Sequence, residues 1–197
     1  YNDAFDGAQG GWWFNMGPTG VRGKPDLKEP KIITVMYVFP NSPATGKILV
    51  GDKIVGVNGK LFQIPDHFIF RGAAGRHPLG ARHYFGFDDG PRLEVGMAVE
   101  ESEGNPSLKG MLTFMILRNG KKMDVPIQLR QIGYFAKNFP YDCPKSKLLR
   151  EEAAVWVSRN FNTRAWSSDV IAKSAGLLAL MSQGNTHMPQ VRGWMRG

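Results

Sequence analysis

The side chains best equipped for chemistry in this 197-residue chain are one cysteine, Cys143, and four histidines, His67, His77, His83 and His187. A Ser-His-Asp or Cys-His device needs nucleophile, base and orienting group within hydrogen-bond reach of one another. No motif assembles one here. There is no G-x-S-x-G elbow, and Ser42, within Asn41-Ser42-Pro43-Ala44, is accounted for by a turn. His67, His77 and His83 share a stretch with Asp66, Asp88 and Asp89, but their spacing matches no pair of metal ligands on one helical face. Asp169, following Ser167 and Ser168, reads as part of a helix cap. These residues predict no catalytic site, no metal site and no cofactor.

Composition and charge bound the partners. The formal net charge is +8 and the pI about 9.7, which suits phosphate neutralisation when Lys and Arg are clustered. Here they are dispersed: Arg118, Lys121 and Lys122 flank a hairpin turn, and Lys145, Lys147 and Arg150 open a helix. No nucleic-acid partner is expected, and the charge is left to steer acidic partners. A hydrophobic content of 42% is enough for a packed core. No apolar run approaches the roughly 18 residues of a membrane span; the longest, Gly176 to Met181, belongs to a short helical pattern. The single cysteine excludes an intramolecular disulfide. The chain opens at Tyr1, as a processed secretory product or an internal fragment would, and a secreted or periplasmic location is the expectation.

The elements that must carry any site follow from pattern. Residues 1–30 combine Trp12, Trp13 and Phe14 with glycines from Gly11 to Gly23, a docked, turning segment that enters a short strand. Lys31 to Phe39 is dominated by β-branched and aromatic residues and predicts a strand closed by Pro40-Asn41-Ser42-Pro43. Asp52 to Phe62 predicts two extended runs around Asn58-Gly59, the pair suited to a type I′ turn. Residues 63–90 keep no period and read as an irregular insertion. Leu93 to Glu103 predicts a helix with Leu93, Met97 and Ala98 on one side and Glu94, Glu100, Glu101 and Glu103 on the other. Met111–Leu117 and Met123–Leu129 predict strands joined by Arg118-Asn119-Gly120-Lys121. Pro144 to Asn160 and Val170 to Met181 predict a helical hairpin, the second helix ending at Gly184-Asn185. The fold class is α+β: a domain over 31–131 with the 63–90 insertion, preceded by the 1–30 segment and followed by the hairpin over 132–197.

The order strand, Asn41-Ser42-Pro43-Ala44, Gly51-Asp52-Lys53-Ile54-Val55-Gly56-Val57-Asn58-Gly59, acidic helix and Asn-Gly hairpin resembles the circularly permuted PDZ-like domains of bacterial proteins, of the C-terminal-processing-protease type. The resemblance covers about half the chain. It implies a small β-barrel or sandwich capped by helices, with a groove between one strand and the helix where a peptide or protein segment is added as an extra strand. It also implies that a peptide's terminal carboxylate meets backbone amides of a glycine loop, here Met16-Gly17-Pro18-Thr19-Gly20-Val21. Centred on Gly17, the loop puts Pro18, which has no N–H, where a donor belongs; centred on Gly20, it leaves Thr19, Gly20 and Val21 able to donate. The second register is favoured, with a purely structural glycine turn as the alternative. On the helix the resemblance puts Leu93 and Met97 in the side-chain pocket and Glu100 or Glu101 near its rim, a buried helix face being the alternative. A bulky residue at Gly20 would then weaken peptide binding without unfolding the protein.

The tail has its own resemblance. Ala154-Val155-Trp156-Val157, Asn160, Asn162, Trp166, Asp169-Val170-Ile171-Ala172 and Gly176-Leu177-Leu178-Ala179-Leu180 look like the opening helices of an α/α toroid of the terpene-cyclase-like kind. With the segments Asn15 to Gly23 and Pro140 to Lys147, the chain resembles secreted bacterial proteins that carry a PDZ domain ahead of such a toroid. The function implied is non-catalytic binding of a peptide or protein segment within a larger secreted protein. Two alternatives stand beside it. One is a regulatory or substrate-presenting part of an enzyme whose active site lies in the toroid. The other is a structural module whose groove is filled by its own aromatic N-terminus or by the insertion.

Overall fold

The computed structural model describes residues 14–26, 28–65, 90–160, 170–182 and 184–196, which form two compact units divided between Tyr134 and Phe135. Asp66, His67, His77, His83, Asp88 and Asp89 lie outside the described residues, as do Trp12, Trp13, Asn162, Trp166 and Asp169.

Among the described residues the first unit is an open antiparallel sheet with one α-helix. Its strands are β1 (Phe14–Asn15), β2 (Val21–Pro25), β3 (Ile33–Val38), β4 (Lys53–Val57), β5 (Lys60–Leu61), β6 (Met111–Arg118) and β7 (Lys121–Gln128). They run in the order β1-β2-β3-β4-β6-β7, with β5 also paired to β4. The α+β class is as expected, but the sheet is open where a barrel or sandwich was expected. Within residues 14–25, β1 and β2 are hydrogen-bonded into this sheet.

Alternation explains which face is buried. Leu112, Phe114 and Ile116 on β6 are fully buried and join Ile33, Val35, Ile54 and Ile127 in one core. Each such side chain contributes about 1.5–3 kcal/mol on leaving water. Both Asn-Gly pairs adopt the positive φ of type I′ turns, Asn58 at 50° and Gly59 at 78°, Asn119 at 51° and Gly120 at 78°. Asn58 does more than turn the chain: its Oδ1 accepts from Thr113 N at 2.9 Å while its own N–H reaches Thr113 O at 2.8 Å, clamping β4 to β6.

Two charged groups fasten the loops. Asp52, 2% exposed, receives Arg118 Nε at 2.8 Å and Nη2 at 2.7 Å, and its Oδ2 also accepts from Leu49 N at 2.8 Å. Asp26 turns the β2–β3 connection by accepting from the amides of Lys28 at 2.9 Å and Glu29 at 3.1 Å, with Lys53 Nζ 3.5 Å away. Burial alone would raise the Asp26 carboxyl, but those amides and Lys53 outweigh it and hold the group below its ordinary value. A carboxylate lowered by folding stabilises the fold above the ordinary carboxylate range, and that contribution disappears as pH falls through its lowered value. Asp26→Asn is therefore expected to melt below wild type at neutral pH, with the gap closing on acidification; a constant gap in a melting series would contradict this.

Helix α1 (Pro91–Gly104) starts with proline in its first turn and ends at Asn105, after which Pro106 cannot continue it. The sequence expectation of 93–103 is short by two residues at its start. The chain after β7 straps the far end of α1. Ile132 N and Gly133 N donate to Glu103 O at 3.2 and 3.1 Å, and the Tyr134 ring lies where any side chain at Gly104 would be.

The second unit contains α2 (Pro144–Asn160), α3 (Val170–Met181) and α4 (Met188–Arg196), with a 3-10 turn over Gly184–His187. Ala154, Leu180 and Val191 form its small core, with Val157 and Leu177 packed against it. Among the described residues a third helix follows the expected hairpin, with Pro189 in the first turn of α4, where its missing N–H costs nothing. Among the described residues no helix is long and apolar enough to cross a membrane.

Candidate functional site

The glycine loop is a tight connection between two strands. Phe14 pairs with Gly23 and Asn15 with Arg22, and Met16 N donates to Val21 O at 2.9 Å. Between them Gly17–Thr19 forms one 3-10 turn. Thr19 N reaches Met16 O at 3.4 Å, Gly20 N reaches Gly17 O at 3.3 Å, and Val21 N reaches Thr19 Oγ1 at 3.1 Å. The three amides assigned to a peptide carboxylate thus all face acceptors of their own loop, and Pro18 has no N–H to add. The loop's carbonyls are used as well: Phe39 N donates to Gly20 O at 2.8 Å and Ala44 N to Thr19 O at 3.2 Å.

Those bonds explain the Asn41-Ser42-Pro43-Ala44 motif, which packs directly on the loop. Gly20 has φ +76°, and a Cβ there would fall 2.0 Å from Ser42 Cβ. The expectation that a bulky residue at Gly20 leaves the fold intact is therefore corrected: the position is structural. Gly17, at φ +57°, has nothing within 4 Å of such a Cβ.

Facing this loop is α1. A groove of about 180 Å³ is lined by Phe14, Asn15, Met16 and Gly17 on the strand side and by Arg92, Val95, Gly96 and Val99 on the helix side. Met16 is 4% exposed and belongs to the core, whereas Phe14 is half-buried with the Arg92 guanidinium 5.8 Å from its ring centroid. Leu93 and Met97 are not among the groove-lining residues, and Met97 is 63% exposed. At about 100° per residue, the stripe of 92, 95, 96 and 99 turns toward β1 and carries 93 and 97 to one side. The resemblance put Leu93 and Met97 in the pocket, while the i, i+4 pair Val95 and Val99 is the signal for this face. Glu101 lies two residues beyond Val99, the last groove residue of α1, held by Asn105 Nδ2 at 2.7 Å and the Tyr134 hydroxyl at 2.8 Å. The Asn105 and Tyr134 bonds keep its carboxyl below the ordinary value, and the Tyr134 phenol is raised in turn by donating to Glu101.

The helical unit has a second hollow, of about 570 Å³, lined by Pro140, Tyr141, Asp142, Cys143, Pro144, Lys147 and Arg150. Cys143 Sγ accepts from Ala136 N at 3.3 Å and Ser146 N at 3.4 Å, so the thiol caps α2. Burial pushes the thiol up, but these amides, the Ser146 hydroxyl and the Lys145 amide outweigh it and hold it below its ordinary value. Among the described residues no histidine lines this hollow to act as its base. Among the described residues no three His, Cys, Asp or Glu side chains are placed to hold a metal ion. No protein-family model matches the chain, and no curated protein matches it either.

Proposed function

We propose that the 14–134 unit is a PDZ-like, non-catalytic module of a larger secreted protein, and that it binds an extended peptide or protein segment along β2 beside α1. The observation that carries this reading is the groove itself: an apolar helix face opposite a sheet edge that, among the described residues, is covered by Phe14 and Asn15 of β1. A strand added there gains main-chain hydrogen bonds from the edge and side-chain contacts from the helix.

Gly96 separates binding from folding. It lies on the groove wall, and a Cβ there would have no atom within 4 Å. Gly96→Ala is expected to raise stability by about 0.5–1 kcal/mol, as helix-interior glycines do when replaced. Gly96→Leu projects into the groove and is expected to abolish enrichment of a displayed random-peptide library while melting no lower than wild type. A folded wild type that enriches no peptide would defeat the proposal.

One observation favours a second reading. Because β1 already covers the β2 edge, the module could serve as a self-filled scaffold. A wild type that binds no peptide but loses stability when β1 is disrupted would fit that reading instead.

A further inference from the structure

We infer that β1 is a resident pseudo-ligand, and that the groove takes its partner by strand exchange, selecting an extended segment with an aromatic side chain opposite Gly23. This rests on the reading of the groove as a peptide receptor and adds what enters and how.

Among the described residues β1 meets β2 through Phe14–Gly23 and Asn15–Arg22, whereas β3 meets all of β2 from Val21 to Pro25. Antiparallel pairs alternate between hydrogen-bonded and non-bonded. Since Met16 N bonds to Val21 O, Asn15–Arg22 is the non-bonded pair and Phe14–Gly23 the next bonded one. Lifting β1 therefore gives up the Phe14 pair, while Met16, 4% exposed, stays in the core as the groove floor.

The place that Phe14 occupies defines the ligand. Its ring lies 5.8 Å from the Arg92 guanidinium and lines the same groove as Val95 and Val99, where about 180 Å³ remains open. A flat, electron-rich ring suits a guanidinium face and aliphatic walls together. Glycines keep the walls low on both sides. A Cβ at Gly23 would strike Ile33 Cγ2 at 2.5 Å and Met16 Cε at 2.7 Å, so the strand there must stay bare, while Gly96 leaves the helix wall open. A free segment that is not tethered by the Met16–Gly20 connection can seat its ring deeper than Phe14 does.

Such a ligand competes with β1, so its apparent affinity is scaled by the fraction of molecules in which β1 is lifted. The test uses the full chain and a fluorescein-labelled heptapeptide copying residues 10–16, Gly-Gly-Trp-Trp-Phe-Asn-Met, read by anisotropy. Asn15→Cys with Arg22→Cys, in a Cys143→Ser background, locks β1 to β2 when oxidised, since a non-bonded antiparallel pair has a spacing that disulfides span. Phe14→Pro removes the N–H of the bonded pair and the resident ring together. The oxidised lock is expected to bind at least about 10-fold more weakly than its reduced form, and Phe14→Pro at least about 10-fold more tightly than wild type, which corresponds to β1 being lifted in under about a tenth of molecules. Phe14→Ser in the peptide is expected to remove binding. Equal affinity of oxidised and reduced forms would overturn strand exchange while leaving the receptor reading standing. Unchanged affinity of the Phe14→Ser peptide would overturn the aromatic selectivity. No binding by wild type, reduced lock or Phe14→Pro would remove the receptor reading, and this inference with it.

Discussion

Gly20→Val is expected to destabilise the sheet unit by about 3 kcal/mol or more, whereas Gly17→Ala, three residues away, costs about 1 kcal/mol. Both glycines have positive φ, +76° and +57°, so each replacement incurs the left-handed penalty, about 1–2 kcal/mol for a side chain with a Cβ. Only Gly20 has a neighbour in the way, Ser42 Cβ at 2.0 Å and Oγ at 2.2 Å from the added carbon. Ser42 cannot easily withdraw. Its N–H donates to Thr45 Oγ1 at 2.9 Å, and the turn it begins is tied to the loop through Ala44 N and Thr19 O. Relieving the overlap must shift backbone, which adds about 1–3 kcal/mol. Urea unfolding of the two variants checks the difference; equal losses would mean that the Gly20–Ser42 contact is not what requires glycine.

The second large effect is expected at Asp52. Asp52→Ala leaves Arg118 without its two-pronged partner and Leu49 N without its acceptor, in a site where the carboxylate is 2% exposed. Removing one member of a buried pair costs about 3–5 kcal/mol, because the remaining charge stays desolvated. The Arg118 side chain is 25% exposed and keeps Nη2 on Lys47 O at 2.8 Å, which places the loss near the lower end. Combining Asp52→Ala with Arg118→Met is expected to cost clearly less than the two single losses added, since the orphaned charge is gone. Strict additivity in the double-mutant cycle would show that the pair does not act as a unit.

These two positions also mark what was legible in the sequence. Local chemistry announced the two Asn-Gly turns, the strand around Val35 and the helix start at Pro144, because turn and cap preferences act within a few residues; the helix start at Pro91 was placed two residues late, at Leu93. Ser42 and Asp52 looked like turn residues and are, but their partners Gly20 and Arg118 are distant in sequence, and no local pattern pairs them. Strand β1 was legible only as an entry into a strand. Two residues have no period to read, and Phe14–Asn15 is extended because the β2 edge offers it a partner. The candidate carboxylate loop was judged on which residues own an N–H, whereas availability depends on the 3-10 turn that uses those donors. On α1 the resemblance pointed to Leu93 and Met97, whereas rotation about the helix axis brings Val95, Gly96 and Val99 to the groove. Cys143 was counted for disulfides, and its capping of α2 emerges only from the approach of Ala136 and Ser146.

The central claim is that an extended segment binds along β2 beside α1. Amide NMR of the full chain titrated with the residue 10–16 heptapeptide tests it most directly. The account predicts the largest shift changes at Arg22, Gly23, Val95, Gly96 and Val99; changes confined to the Cys143 hollow, or none at saturating peptide, would contradict it.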